Sequence, residues 1–368
     1  MLQLGIVGFP QSGKSTLLAG LIEGRQPTRL GKGGAAMHAA VVKVPDPRLD
    51  HLGALYPDRK RVYAEVEYVD FPYASLGQRD RSAEAAWIGS LRTVDALVAV
   101  VRAFDDQSDA PPPVADSLAG PLANVADLQL ELVLADLPLV ERRLGRLKAD
   151  LGRATRDERR GLMQEQSLLL QLQTQFEAEV PLRTLDLDDE SWRRLRGFRF
   201  LSAKSLLYVL NIGEQQLGER AGLEAEFARR VAGPGTAGLA LCAQMELELA
   251  ALAEPDRQPF MEDLGLSELA AGRVIRASYQ VCGLSTFFTI GDDEVRAWSV
   301  PTGTLAPQAA GLVHTDMERG FIRAEAISFE ALAAAGDMAA ARRQGLLRQE
   351  GRTYGVNDGD VLHFLFSR

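Results

Sequence analysis

The sequence predicts an α/β protein with a mostly parallel sheet, a helical hairpin inserted into it, and a smaller α+β module after it. Three observations lead there. Residues 1–122 alternate short apolar runs with helical patterns, the order expected of strands joined by crossover helices. Two long leucine-rich segments with helical spacing interrupt the alternation, which then resumes. From about Tyr279 onward the runs are short, strand-like and separated by few long helices.

In chain order, "LQLGIVG" predicts the first strand and a helix starts at about Lys14. "AAVVKV", "RVYAEVEYVD" and "DALVAVV" then read as strands. The proline-rich "DDQSDAPPPVADS" marks a loop. Past it, "ADLQLELVLADLPLVERRLGRLKADLGRA" and "DERRGLMQEQSLLLQLQTQFEAEV" predict an antiparallel hairpin over 123–199 that turns near Thr155. Its charged faces are either a partner surface or a solvated exterior. "SLLYVLNIGE" and "AGLALCAQ" return to the sheet, so 1–122 and 200–278 form one domain around the insertion, and 279–368 forms the final module.

Composition narrows the function classes. The 368 residues suffice for two or three domains, and 46% hydrophobic with 25% charged residues is the balance of a soluble globular protein. No apolar run approaches the ~20 residues of a membrane helix, and "MLQLGIVG" lacks the features of a signal peptide, so a cytoplasmic protein without a membrane partner is expected. Cys242 and Cys282 are too few for a disulfide framework and lack metal-ligand spacing. A net charge of −9 excludes a generally basic, non-specific nucleic-acid binder, so any RNA contact has to be local.

The chemistry is concentrated in "GFPQSGKST", residues 8–16, which fits G-x-x-x-x-G-K-[ST] between a predicted strand and a predicted helix. In such a loop, backbone N–H groups at the positive end of the helix surround nucleotide phosphates. The binding set is Gly8, Gln11, Ser12, Gly13, Lys14, Ser15 and Thr16. Lys14 reaches the β- and γ-phosphates and stabilises transferring charge, and the Ser15 hydroxyl ligates Mg²⁺.

Beyond this loop, "VPDPRLD" (44–50), "VEYVD" (66–70), "VDALVAVVRAF" (94–104), "AKSLLYVLNIGE" (203–214) and "EVRAWSVPTGTLAPQAAGLVHTDMERGFIRAEAI" (294–327) resemble the YchF subfamily of Obg-like P-loop NTPases nearly end to end. The resemblance implies a P-loop domain, a coiled-coil insertion and a C-terminal TGS domain of the ubiquitin-like β-grasp type. It implies ATP or GTP with Mg²⁺ as ligands, a monomer, and a ribosome or RNA as partner through the TGS domain. Asp70 stands where the family holds Mg²⁺, usually through water.

Two switch positions depart from the pattern. The family continues from the aspartate as D-x-x-G, whereas this chain has Asp70-Phe71-Pro72-Tyr73, with Tyr73 for the glycine and Pro72 lacking a backbone donor. Where the family has a threonine that coordinates Mg²⁺, "GKGGAAMHAA" offers Gly34 or Ala35. Thr28 is either a substitute or a plain loop residue. His38 and His51 are candidate general bases with no visible partner, the ordinary condition of a structural histidine.

Base recognition follows the family's N-x-x-E variant in Asn211-Ile212-Gly213-Glu214, which implies acceptance of ATP. Glu214 also fits as a helix-start acid. Ser202-Ala203-Lys204 has the composition of a guanine-site motif but precedes its strand, and the position after the next strand reads Cys242-Ala243-Gln244.

Two functions therefore stand open: a slow cytoplasmic ATPase or GTPase, and a nucleotide-dependent RNA- or protein-binding module that no longer hydrolyses. A kinase ranks below both, since no acceptor-binding segment is visible. In 279–368 the eight arginines, no lysine and eleven acidic residues exclude a uniform phosphate-binding face. His314, Arg319 and Arg323 remain as a local surface if Met317, Glu318 and Arg319 form a turn, unless Asp316 and Glu325 pair with them instead.

Overall fold

The computed structural model describes residues 1–22, 27–30, 37–71, 81–104, 117–266 and 268–367. Its strands are β1 (Leu2–Val7), β2 (Thr28–Leu30), β3 (Met37–Lys43), β4 (Lys60–Val62), β5 (Glu65–Asp70), β6 (Ala96–Arg102), β7 (Leu206–Asn211), β8 (Thr236–Leu241), β9 (Leu284–Ile290), β10 (Glu294–Pro301), β11 (Phe321–Ser328), β12 (Arg348–Glu350) and β13 (Asp360–Phe366). The first five helices are α1 (Lys14–Leu21), α2 (Pro47–Leu55), α3 (Arg81–Leu91), α4 (Ala119–Arg153) and α5 (Arg156–Glu177). The chain divides into two compact units: Met1–Val41 with Glu67–Ala271, and Val42–Val66 with Gly272–Arg368.

The first unit is organised on a seven-stranded sheet in the order β2-β3-β5-β1-β6-β7-β8. β1, β6, β7 and β8 pair in parallel and β2 with β3 antiparallel. The central strands are buried along nearly their whole length, which is why "ALVAVV" and "LLYVL" are continuous apolar runs rather than alternating ones. Parallel pairing brings the C-terminal ends of β1, β6, β7 and β8 to one edge, where ligands of such sheets bind.

α4 and α5 form the expected hairpin, with Thr155 as the N-cap of α5. Its seam is a separate core of Val140, Leu144, Leu147, Leu169, Leu172 and Phe176. Asp136 of α4, fully buried, anchors the hairpin. It accepts hydrogen bonds from Arg92 at 2.6 Å, from the Leu201 and Ser202 amides at 3.0 and 2.8 Å, and from the Ser202 hydroxyl at 2.8 Å.

The second unit carries a six-stranded sheet in the order β12-β11-β13-β9-β10-β4. The β9–β10 hairpin, the helix Ala306–Val313, and β13 running parallel to β9 beside antiparallel β11 make a β-grasp arrangement. Ala306, Ala309 and Ala310 bring that helix onto Phe287, Phe321 and Phe364 of the sheet. Residues 42–66 pack with this unit, and β4 pairs in parallel with β10. "RVYAEVEYVD", read as a single strand in the sequence, is therefore two strands in two sheets, divided at Tyr63–Ala64, where the Ala64 carbonyl accepts from the Val44 amide at 2.8 Å.

Candidate functional site

The turn between β1 and α1 is possible only with glycine at its two ends. Gly8 has φ +145°, and a Cβ there would lie 2.4 Å from the Val100 carbonyl oxygen. Gly13, the N-cap of α1, has φ +95° and supplies no side-chain cap, and Gln11 between them also takes a positive φ of 60°. The first-turn N–H groups of α1 thus end in an uncapped, positively polarised loop, as an anion site requires.

Lys14 is folded back over this loop, donating to the Gly8 and Phe9 carbonyls at 2.9 Å each. Burial pushes its ammonium below the ordinary lysine range, and the charge of Asp70 partly opposes that shift. A half-buried cation held only by neutral carbonyls gains most from an arriving anion. Ser15 Oγ donates to Asp70 Oδ2 at 2.7 Å, so the start of α1 and the end of β5 are joined by hydroxyl and carboxylate. Asp70 Oδ1 and Ser12 Oγ are buried with no hydrogen-bond partner, an unsatisfied condition that a bound ligand or ion relieves. Among the described residues no group of three or more His, Cys, Asp or Glu could hold a metal. A hard cation here would therefore draw on the Ser15 hydroxyl, the Asp70 carboxylate, water and phosphate oxygens, a donor set that suits Mg²⁺.

A cleft of about 560 Å³ continues from the loop along the ends of β6, β7 and β8; Gly13, Thr16, Phe104, Asn211, Glu214 and Gln244 are among its lining residues. Buried Asn211 links two of its sides: Nδ2 donates to the Ser12 carbonyl at 2.9 Å, and Oδ1 accepts from the Ala243 amide at 2.9 Å. Glu214 opens a short helix, Glu214–Glu219, at the wall of the cleft. The phosphate loop, Lys14, Ser15, Asp70, Asn211 and Glu214 are thus gathered in one unit.

Phe104 had no role in the sequence reading. It follows β6 at the sheet edge where a ligand is expected, and its ring lies 4.6 Å from the Arg102 guanidinium carbon. Strand direction was the signal available for it. Gln244, named in the sequence only for its position, also lines the cleft and donates to Glu248 at 2.6 Å.

The remaining candidates lie elsewhere. Ser202 is consumed by Asp136, and Lys204 donates to the Arg92 and Val94 carbonyls before β7 begins, so this Ser-Ala-Lys is structural. Burial pushes Lys204 down to about 8. Thr28 lies in a strand, opposite Ala39, and His38 lies in β3 opposite Arg29. His51 packs edge-on against Phe329 within the second unit. Gly34, Ala35, Pro72 and Tyr73 lie outside the described residues.

In the second unit, Thr315–Arg319 forms a short helix before β11, with His314 accepting from the Asp316 amide at 3.2 Å. Glu325 pairs with Arg342 at 2.7 Å, and exposed Arg319 and Arg323 have no partner among the described residues.

Comparison with known proteins agrees with this architecture. The YchF GTPase C-terminal family model, described as a protein of unknown function (DUF933), matches residues 284–367. The chain is 35% identical to the ribosome-binding ATPase YchF of Bacillus subtilis (strain 168), over 100% of this chain and 99% of that one. It is 34% identical to the protein of the same name from Escherichia coli O157:H7, over 99% and 98% of the two chains. The solved structure of the Schizosaccharomyces pombe YchF GTPase superposes with a TM-score of 0.81 at 26% identity, covering 99% of this chain and 97% of that one. The fold, the phosphate loop and full-length similarity to these relatives lead to one conclusion: this chain belongs to the YchF family.

Proposed function

We propose that this protein binds ATP or GTP with Mg²⁺ in the cleft at the ends of β1, β6, β7 and β8, hydrolyses it slowly, and acts on ribosomes in the cytoplasm as a monomer. The observation that carries the reading is the uncapped Gly8–Lys14 loop with Ser15 and Asp70 joined beside it. The relatives named ribosome-binding ATPases supply the partner class.

In this reading the loop N–H groups and Lys14 orient the triphosphate, and Lys14 leaves its carbonyl partners for the β- and γ-phosphates. Mg²⁺, when bound with the nucleotide through Ser15 and Asp70, neutralises phosphate charge. Asn211 holds the phosphate loop against the start of the helix after β8, while Phe104 and Glu214 form the base end of the cleft. Positioning and electrostatics then carry phosphoryl transfer to water. Arg319 and Arg323 of the β-grasp module are proposed as its contact to ribosomal RNA.

Binding of ATP and GTP, steady-state hydrolysis, and co-sedimentation with ribosomes with and without nucleotide test this reading. Turnover is expected near the unassisted rate of small GTPases, roughly 10⁻⁴–10⁻³ s⁻¹, and a rate above about 1 s⁻¹ without a partner would contradict it. A second reading, nucleotide binding without hydrolysis, is favoured by Tyr73 standing where the family has the glycine of D-x-x-G. Stoichiometric ATP binding with no phosphate release over hours selects it.

A further inference from the structure

Several hydrogen-bonding atoms that line the nucleotide cleft are already spent within the protein, which narrows the groups left to read a purine. Asn211 uses both ends of its amide, on the Ser12 carbonyl and on the Ala243 N–H. That N–H, at the start of the helix Ala243–Ala251, is therefore closed to a base carbonyl. Gln216 gives its side-chain oxygen to the Gly213 amide at 2.9 Å and keeps only N–H groups for a ligand. The carboxylate of Glu214 offers acceptor oxygens alone.

Gln244 is placed differently. Its Nε2 donates to Glu248 Oε1 at 2.6 Å, one turn further along the same helix. A carboxylate only accepts, so this contact fixes which end of the carboxamide is nitrogen. Oε1, which has no partner among the described residues, is the atom left for the cleft that Gln244 lines. We propose that Gln244 is a specificity-determining residue whose side-chain oxygen accepts a hydrogen bond from the 6-amino group of adenine, with Glu248 as the positioning residue that holds the carboxamide in that sense. The inference rests on the nucleotide reading above and names the base contact within it.

Base chemistry gives the contact its sign. Adenine carries an amino donor at position 6, where guanine carries a carbonyl oxygen. The Gln244 oxygen is complementary to the first and repels the second. Phe104, whose ring also lines the cleft, offers apolar contact that does not depend on this exocyclic group. An exposed Gln–Glu pair one turn apart adds little to a helix, so the effect of Gln244 and Glu248 is expected in recognition rather than in stability.

The test is calorimetric titration of the full chain, with Mg²⁺ present, by ATP, GTP and purine riboside triphosphate, which has only hydrogen in place of the amino group. The readout is the ratio of affinities within each protein, which cancels any change in the phosphate loop. Wild type is expected to prefer ATP to purine riboside triphosphate by roughly three- to tenfold, the worth of one neutral hydrogen bond, and to prefer ATP to GTP. Gln244→Leu should bring ATP and purine riboside triphosphate within about twofold of each other. Glu248→Ala frees the carboxamide to turn its N–H toward a carbonyl, so the preference for ATP over GTP should narrow by roughly threefold or more, a change that a merely structural Glu248 does not produce. Equal wild-type affinities for ATP and purine riboside triphosphate, or a ratio untouched by Gln244→Leu, overturn the assignment and leave the nucleotide reading standing. A wild-type preference for GTP gives the exocyclic group to the Gln216 amide and overturns it as well. An ATP-to-GTP ratio unchanged in Glu248→Ala overturns the positioning role. Failure of all these ligands to bind removes the nucleotide reading and the inference together.

Discussion

Asn211 Nδ2 donates to the Ser12 carbonyl across 2.9 Å, from a residue 199 positions away in the chain, and Oδ1 of the same amide takes the Ala243 N–H. One side chain therefore braces the phosphate loop against the wall of the base cleft. Asn211→Ala should weaken ATP and plain pyrophosphate in similar proportion, by about 2 kcal/mol, because it loosens the loop itself. Calorimetric titration with both ligands checks this, and an unchanged pyrophosphate affinity would assign Asn211 to the base alone.

The same contact makes Gly13 intolerant of substitution, since a Cβ would sit 2.2 Å from Asn211 Nδ2 on a backbone with φ +95°. Gly13→Ala is expected to destabilise by roughly 2–4 kcal/mol from clash and backbone strain together. In an Asn211→Gly background the clash is gone and the strain remains, so a double-mutant cycle by chemical denaturation should show coupling of about 1–3 kcal/mol. Additive effects would remove the contact from the account.

Lys14→Ala should abolish triphosphate binding with little change in Tm, because the ammonium gives the empty site only two bonds to loop carbonyls. Burial already lowers the Lys14 pKa, whereas bound phosphates raise it. Wild-type affinity should therefore decrease as pH rises through the depressed pKa of the free protein, with proton uptake on binding. Titrations in buffers of different ionisation enthalpy measure that uptake.

Ser15→Ala removes the donor of the 2.7 Å link beside the phosphate loop, and Asp70→Asn removes its carboxylate charge. Both should weaken nucleotide binding in the presence of Mg²⁺ more than in chelator, by roughly tenfold in the ratio of the two affinities. Equal effects with and without the ion would argue that the pair is only structural.

Burial pushes Lys204 down to about 8, below the ordinary lysine value of 10.5, so the unfolded chain binds its proton more tightly. Its cost to folding is full below pH 8 and vanishes above pH 10.5, and stability rises with pH between them. Relative to Lys204→Met, the wild type should gain about 2 kcal/mol between pH 8 and pH 10 by urea denaturation. A constant gap would exclude the linkage.

The phosphate loop, the hairpin and the strands of the final module are local patterns, and the sequence by itself determined them. Glycine at 8 and 13 dictates a loop that only positive φ permits, and leucine spacing dictates helices that share a seam. The family resemblance carried Asp70, Asn211 and Glu214 to one site without saying what each would touch.

Tertiary structure alone decided three things. It turned Asn211 into a brace on the loop, because the chain order of β1, β6 and β7 does not reveal which amide meets which carbonyl. It put Phe104 in the cleft wall, because exposure at a sheet edge depends on neighbouring strands. It also sent Lys60–Val62 to β10 and Glu65–Asp70 to the other sheet. Both segments have strand-forming side chains, but a strand's choice of partner is set by long-range burial and hydrogen bonding, which its own residues do not encode.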